Sequence, residues 1–268
     1  MNLLSVPEFI YRKKRDGIAI MGSGYSINRI TPEQWVDIES NYDTLGFNFY
    51  CKSRRPTTWY MVREQCVSPS RIMKGFELED FFELMKSYST SCKIIKDLSS
   101  NVNNFQHARH LENFDGDGFI FQEPDTGCSA KSFRDDIFLT GIHHGKFTLY
   151  DALHFSVAMG YIRILFCGVD LYDNRYFYLP ENETLEYTLK GGGTIDSPHP
   201  TAAKAIKLVG GVRDFYPNIK LEVQNEYSLL REVIPKHVED SLTGKTADCG
   251  SAVTGSTPVP QPNTKESL

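Results

Sequence analysis

The stretch Ile162-Arg163-Ile164-Leu165-Phe166-Cys167 is apolar except for one arginine, and it stops at Gly168. A run of this kind reads as a strand buried on both faces, the state typical of a parallel sheet. It delivers Val169-Asp170-Leu171-Tyr172 to its C-terminal end, and Tyr176 and Tyr178 follow. In open α/β sheets, ligands bind outside the carboxyl ends of the strands. A glycine, an aspartate and clustered tyrosines at that edge therefore constrain both the fold and the place where chemistry belongs.

Other segments repeat the pattern. Ile18 to Met21 is a first strand, entering Gly22-Ser23-Gly24-Tyr25-Ser26. A helix is expected from Pro32 to about Ser40, with Thr31 as its N-cap. Thr44 to Cys51 reads as a strand ending near Asn48, and Thr57 to Val62 as another. Leu78 to Tyr88 has helical spacing. Short strands are expected at Cys92–Lys96 and around Gly118–Phe121. Phe147 to Met159 has a helical apolar face. A further helix is expected over Pro200–Phe215 and a late strand over Ile219–Val223. Strands alternating with helices predict an α/β domain with a mainly parallel sheet.

Residues 1–17 read as a lead-in carrying the basic cluster Arg12-Lys13-Lys14-Arg15, either a solvated leader or a contact for anionic lipid. The main domain is expected over residues 18–239. Residues 171–198, with Gly191-Gly192-Gly193, read as a lid, since three glycines hold no stiff conformation cheaply. From about residue 240 to 268 the chain is rich in Gly, Ser, Thr and Pro, and disorder is expected there.

The chain of 268 residues is 40% hydrophobic, enough for a sizeable core. A net charge of −5 gives no field favouring nucleic acid. None of the six cysteines (51, 66, 92, 128, 167 and 249) forms a CxxC pair, so reduced thiols and a cytoplasmic setting are expected. No signal peptide or membrane-spanning run is visible, and peripheral contact with the inner membrane stays compatible with the sequence. The oligomeric state is left open.

Each candidate site residue has two readings. Gly22-Ser23-Gly24-Tyr25-Ser26 lies between a strand and a helix, as a phosphate loop would. It is also a plain tight turn, lacking both GxGxxG spacing and a Walker lysine. Asn48 can read a base or ribose edge, or cap a turn. Thr148 can hold a carboxylate at a helix N-terminus, or cap that helix. Asp170 can position a ribose or an acceptor hydroxyl, or cap its loop. His199 can take a proton near neutral pH, or be structural. Tyr172 and Tyr178 offer neutral hydroxyls to a phosphate. His107, His110, His143, His144 and His154 have no ligand spacing that indicates zinc, so no metal is expected.

Taken in order, these residues resemble the bacterial sialyltransferases of the Campylobacter lipooligosaccharide type. The shared pattern is Gly22, Gly24 and Ser26 after the first strand, then Asn48, then Thr148 at a helix start. Gly168, Asp170, Tyr172 and Tyr178 follow, and then His199. Asn225-Glu226-Tyr227-Ser228-Leu229-Leu230 resembles the late motif of that family, and the likeness spans about residues 18–235. It implies a single Rossmann-like nucleotide-binding domain of GT-A-like type with a small lid. It also implies inverting, metal-independent transfer from a CMP-sugar co-substrate to a glycan acceptor of surface polysaccharide, with no cofactor. Tyr172 and Tyr178 would hold the leaving phosphate and His199 would be the base. Gly22 to Ser26, with Ser23 in place of the family's Asn, would bind the nucleotide together with Asn48.

Other departures are Met61-Val62 after Tyr60, where the family has Asn-Pro, and Phe147-Thr148-Leu149, where it has Thr-Ser-Gly. An acceptor-side arginine has no clear counterpart, although Lys146 is near. These changes keep a CMP-octulosonic or CMP-nonulosonic acid donor in view, as in capsule, O-antigen or flagellin glycosylation. A non-catalytic nucleotide-binding module of the same fold is the alternative of a different class. A dinucleotide oxidoreductase is disfavoured, because no acidic residue stands about 20 positions after a GxGxxG.

Overall fold

The computed structural model describes residues 1–62, 84, 87–97, 115–122, 130–133, 135–142, 147–184 and 194–238. Among these residues, eight strands form one sheet: β1 (Asn2–Leu3), β2 (Gly17–Met21), β3 (Tyr42–Phe47), β4 (Thr57–Val62), β5 (Thr90–Asp97), β6 (Asp117–Gln122), β7 (Arg163–Cys167) and β8 (Lys220–Val223). Their order is β1-β6-β5-β4-β3-β2-β7-β8, and every pairing is parallel. The helices include α1 (Val6–Ile10), α2 (Pro32–Asn41), α3 (Thr148–Ala158) and α4 (Ala202–Phe215).

The period of two along a strand divides the core. Ile18 and Ile20 of β2 enter one cluster with Trp59, Phe121 and Phe155. Ala19 and Met21 enter the other, with Trp35, Ile38, Tyr50 and Leu165. With both faces covered, the central strands are buried; β2 reads as a continuous apolar run, whereas β3 also buries Asp43 and Thr44. Helix α2 starts where its sequence directs. Thr31 Oγ1 accepts from Gln34 N at 3.3 Å, Gln34 Oε1 accepts from Thr31 N at 3.1 Å, and Pro32 opens the helix. Helix α3 is buried from Thr148 to Val157, not on one face only, and it carries Asp151, His154 and Ser156 inside.

The first seventeen residues belong to the fold. Strand β1 closes the far edge of the sheet against β6. Phe9 of α1 is fully buried, with its ring 4.9 Å from Trp59, 4.7 Å from Phe119 and 5.5 Å from Phe121. The basic cluster has protein partners. Arg12 pairs with Asp117. Lys13 donates to the carbonyls of Met159 and Gly160 at 3.1 and 2.9 Å, where a cation suits the end of α3. Lys14 folds back onto Tyr11. Near the other end of the described chain, His237 lies between Asp37 at 2.9 Å and Glu222 at 3.4 Å.

Several expectations shift. The second expected strand ends at Phe47, and Asn48–Lys52 is a turn of 3-10 helix. The helix expected over residues 78–88 lies largely outside the described residues, as do the glycines 191–193, residues 240–268 and His107, His110, His143, His144 and Lys146. Among the described residues, Cys51, Cys92 and Cys167 are free and buried, and no helix is long and apolar enough to cross a membrane.

Candidate functional site

From β2 the sheet steps one way through β3 to β6 and the other way through β7 to β8. The strand order therefore reverses between β2 and β7, the topological switch point where α/β sheets place ligands. A cavity of about 330 Å³ opens there. Five separated segments line it, supplying Gly22 to Gly24, Phe47 to Phe49, Phe147 to Leu149, residues between Gly168 and Tyr176, and His199 with Thr201.

The loops after β2 and β7 continue past the sheet edge in contact. Gly22 N donates to Cys167 O at 2.7 Å, and Gly24 N to Gly168 O at 2.8 Å. A Cβ on Gly22 would lie 2.3 Å from Gly168 O, and one on Gly24 would lie 2.5 Å from Asp170 Oδ2. Gly168 has a φ of 64°, open to glycine at little cost. These glycines thus weld two loops together. The amides of Gly22, Gly24 and Ser26 are held by protein acceptors, while Gly22, Ser23 and Gly24 line the cavity.

Ser26 is buried, and both its amide, at 2.8 Å, and its hydroxyl donate to the carboxylate of Asp170. Asn225 Nδ2 donates to the same carboxylate at 2.9 Å. Burial pushes the Asp170 carboxyl pKa up, and the donors from Ser26 and Asn225 oppose that shift. Three protein donors hold the Asp170 carboxylate at the cavity wall, where it fixes the loops of Ser26 and Asn225. Ser23 differs: its hydroxyl is buried beside the cavity with no hydrogen-bond partner among the described residues. A buried polar atom of that kind calls for a ligand or water.

Asn48 leaves β3 with a φ of 50°, a left-handed turn that asparagine tolerates. Its carbonyl accepts from the Tyr60 hydroxyl, and its Oδ1 accepts from Thr148 Oγ1 at 3.2 Å. Phe147 takes the N-cap position of α3 without a side-chain cap. Thr148 is therefore not a cap: its hydroxyl orients Asn48 on the cavity wall.

The tyrosines depart from expectation. Tyr176 lines the cavity, whereas Tyr172 and Tyr178 do not. Leu171 has a φ of 65°, which turns the chain so that Leu171 meets the cavity. Tyr172 sits near Asn225; its pKa is raised by burial first and then by Asp170. Tyr178 packs its ring 5.4 Å from Phe49 and 5.5 Å from Tyr176, with Lys52 Nζ 4.7 Å above it.

The described parts of the expected lid are tied down. Phe177 N donates to Ser23 O at 3.1 Å, and Asn28 Nδ2 to Phe177 O at 2.9 Å. Asn174 joins the two halves: its side-chain nitrogen donates to the carbonyls of Thr194 and Ser197, both at 2.9 Å. Its Oδ1 is buried with no hydrogen-bond partner among the described residues, and the residue lines the cavity. Arg175 lines it too, held by Asp173 at 2.6 Å and Glu181 at 2.9 Å. Sequence reasoning gave Tyr176 only as one of the clustered tyrosines and did not assign Asn174, Arg175 or Thr201 to the site. The aromatic and polar density around residue 175 was the one signal for Asn174 and Arg175, and none pointed to Thr201.

His199 lies across the cavity lining, with its amide donating to Leu171 O at 2.8 Å. Burial holds its pKa below the ordinary 6.5, so the neutral imidazole dominates near pH 7. Nδ1 is 2.8 Å from Thr201 Oγ1 and 3.2 Å from Thr201 N. Among the described lining residues, the site therefore combines a neutral imidazole, hydroxyl and amide groups, the carboxylates of Asp170 and Asp173, and one cation, Arg175.

No protein-family model matches the sequence, and no curated protein matches it. Solved structures with a similar chain path include a variant of the sialyltransferase CstII in complex with CMP. It is 15% identical, with a TM-score of 0.48 and coverage of 85% of this chain and 87% of that one. CstII from Campylobacter jejuni with the substrate analogue cytidine-5'-monophosphate is 16% identical, with a TM-score of 0.46 and coverage of 83% and 85%. The monofunctional α-2,3-sialyltransferase Cst-I from Campylobacter jejuni is 14% identical, with a TM-score of 0.46 and coverage of 96% and 93%. At this degree of likeness, substrate and reaction have to be argued from this chain's own residues.

Proposed function

We propose that the chain is an inverting glycosyltransferase that moves sialic acid or a related ulosonic acid from a CMP-sugar to a hydroxyl of a glycan. The observation that carries this reading is the meeting of five distant segments around one cavity. They bring Ser23, Asn48 and a neutral His199 to its wall. Asn48 would read the nucleotide. Ser23, Tyr176 and Arg175 supply donors for the anionic part of the donor sugar. The acceptor oxygen attacks the anomeric carbon, its proton passes to His199, and CMP leaves with the electrons of the broken C–O bond. In this reading the leaving phosphate would be met by hydrogen-bond donors and the Arg175 guanidinium, and not by a divalent cation.

Ser23 stands where the sialyltransferase pattern has asparagine, and this favours a relative of sialic acid, such as an octulosonic or nonulosonic acid, as the second reading. Thermal melts with CMP, UMP, GMP and NAD test the nucleotide, and CMP release from a panel of CMP-sugars tests the donor. Greater stabilisation by GMP or NAD than by CMP would remove the proposal. Specific CMP binding with no turnover of any CMP-sugar would leave a nucleotide-binding module. Transfer abolished by EDTA and restored by magnesium or manganese would refute the metal-independent part.

A further inference from the structure

The partners of the His199 ring pose a chemical conflict. The amide N–H of Thr201 approaches Nδ1 at 3.2 Å and can only donate. By itself it would fix the neutral tautomer with the proton on Nε2. That form offers a donor to the cavity and cannot take a proton there. The Thr201 hydroxyl is closer, at 2.8 Å, and can either donate or accept. It is the partner of Nδ1 that can receive an Nδ1 proton.

We propose that Thr201 is a positioning residue whose hydroxyl accepts the Nδ1 proton of His199, so that Nε2 presents a lone pair to the acceptor. This rests on the transferase reading, in which the base needs a lone pair on Nε2, and on the short contact between Nδ1 and the Thr201 hydroxyl. In the step, the acceptor O–H bond breaks and its proton goes to Nε2. The imidazolium then keeps its Nδ1–H on Thr201 Oγ1 and later returns the Nε2 proton to solvent. The hydroxyl thus stabilises the charged ring at the moment it forms, in the manner of the third member of a nucleophile–base–orienter set.

The other ionisable groups on the cavity wall are Asp170, Asp173, Arg175 and Tyr176. Asp170 is committed to Ser26 and Asn225, and Asp173 to Arg175. Among the described residues, no fixed charge is paired with His199 in place of the threonine, and burial is what depresses its basicity.

The test compares Thr201→Val, Thr201→Ala and Thr201→Ser. The first two remove the hydroxyl but keep the amide; serine keeps both. Ring ¹⁵N shifts of His199, read without any sugar donor, report the tautomer. The wild type and Thr201→Ser should show the Nδ1–H form, and the other two the Nε2–H form alone. In transfer assays, Thr201→Val should lower kcat by about ten- to a hundredfold, the scale of one hydrogen bond to a charged group. The KM for the donor should hold. The ascending limb of its pH profile should move to lower pH, because the imidazolium has lost an acceptor. Thr201→Ser should restore both. Identical tautomer populations in all four proteins would overturn the proposal. So would a loss of kcat matched by a raised donor KM and an unmoved pH limb. Inactivity of the wild type toward every CMP-sugar would remove the transferase reading, while the tautomer comparison would still decide the role of Thr201.

Discussion

Gly168→Ala isolates the weld between the two loops. Gly168 and Gly160 both have positive φ, 64° and 69°. An alanine in that conformation costs about 1–2 kcal/mol at either position. Their surroundings differ. A Cβ at 160 meets only Lys13 Nζ at 3.9 Å, whereas one at 168 falls 2.5 Å from Ile27 Cγ1, 2.7 Å from its Cδ1 and 3.1 Å from Gly22 O. Ile27 is buried under the loop and cannot swing away freely. Overpacking of this kind adds about 1–3 kcal/mol. The totals are about 2–5 kcal/mol at 168 and about 1–2 at 160. At about 2–4 °C per kcal/mol for a domain of this size, Tm should fall by about 4–20 °C and about 2–8 °C respectively. Calorimetry gives both shifts, and titration with CMP shows whether the cavity survives. Equal, small losses in the two variants, with CMP binding intact in both, would refute the claim that contact between the loops dictates the glycine.

Phe9→Ala should cost about 3–5 kcal/mol, the range for emptying a buried aromatic site, and urea unfolding should show it as a lower midpoint. Asp170→Asn turns an amide nitrogen toward the donors from Ser26 and Asn225, so at least about 1–3 kcal/mol of stability and CMP binding should be lost together, as melts with and without CMP would show. His199→Ala should fold, bind CMP and lose transfer by roughly 10²–10⁴-fold. Because the folded pKa of His199 is depressed, its contribution to stability is complete above about 6.5 and is lost as pH falls from there through the folded value. His199→Gln should flatten that part of a stability–pH curve.

The strands were legible because strands covered on both faces are mostly apolar, as in Ile18–Met21 and Ile164–Cys167. Thr31-Pro32 announced α2 through capping chemistry that acts over three residues. The two residues of β1 and the five of α1 are too few to show a period, so the buried position of Phe9 could not be read. At the site, the segments that meet were visible as strand ends, and His199 with them. Which side chain faces inward was not. Leu171 exchanges places with Tyr172 through one backbone angle, and no residue type announced it. The role of Ser26 was hidden for another reason: its partner Asp170 is 144 residues away.

The pairing of β1 with β6 has a consequence for synthesis. Asn2 and its partner Asp117 are 115 residues apart. At about 5–20 residues per second, the first strand emerges from the ribosome about 6–23 seconds before its neighbour exists. Strands β2, β3 and β4 can pair with one another early in that interval. The nascent chain must therefore carry Phe9 and its helix without their aromatic pocket until β6 arrives, and the edge formed first in sequence is sealed late in time. A chaperone that shelters exposed aromatic side chains would find its target in the opening ten residues.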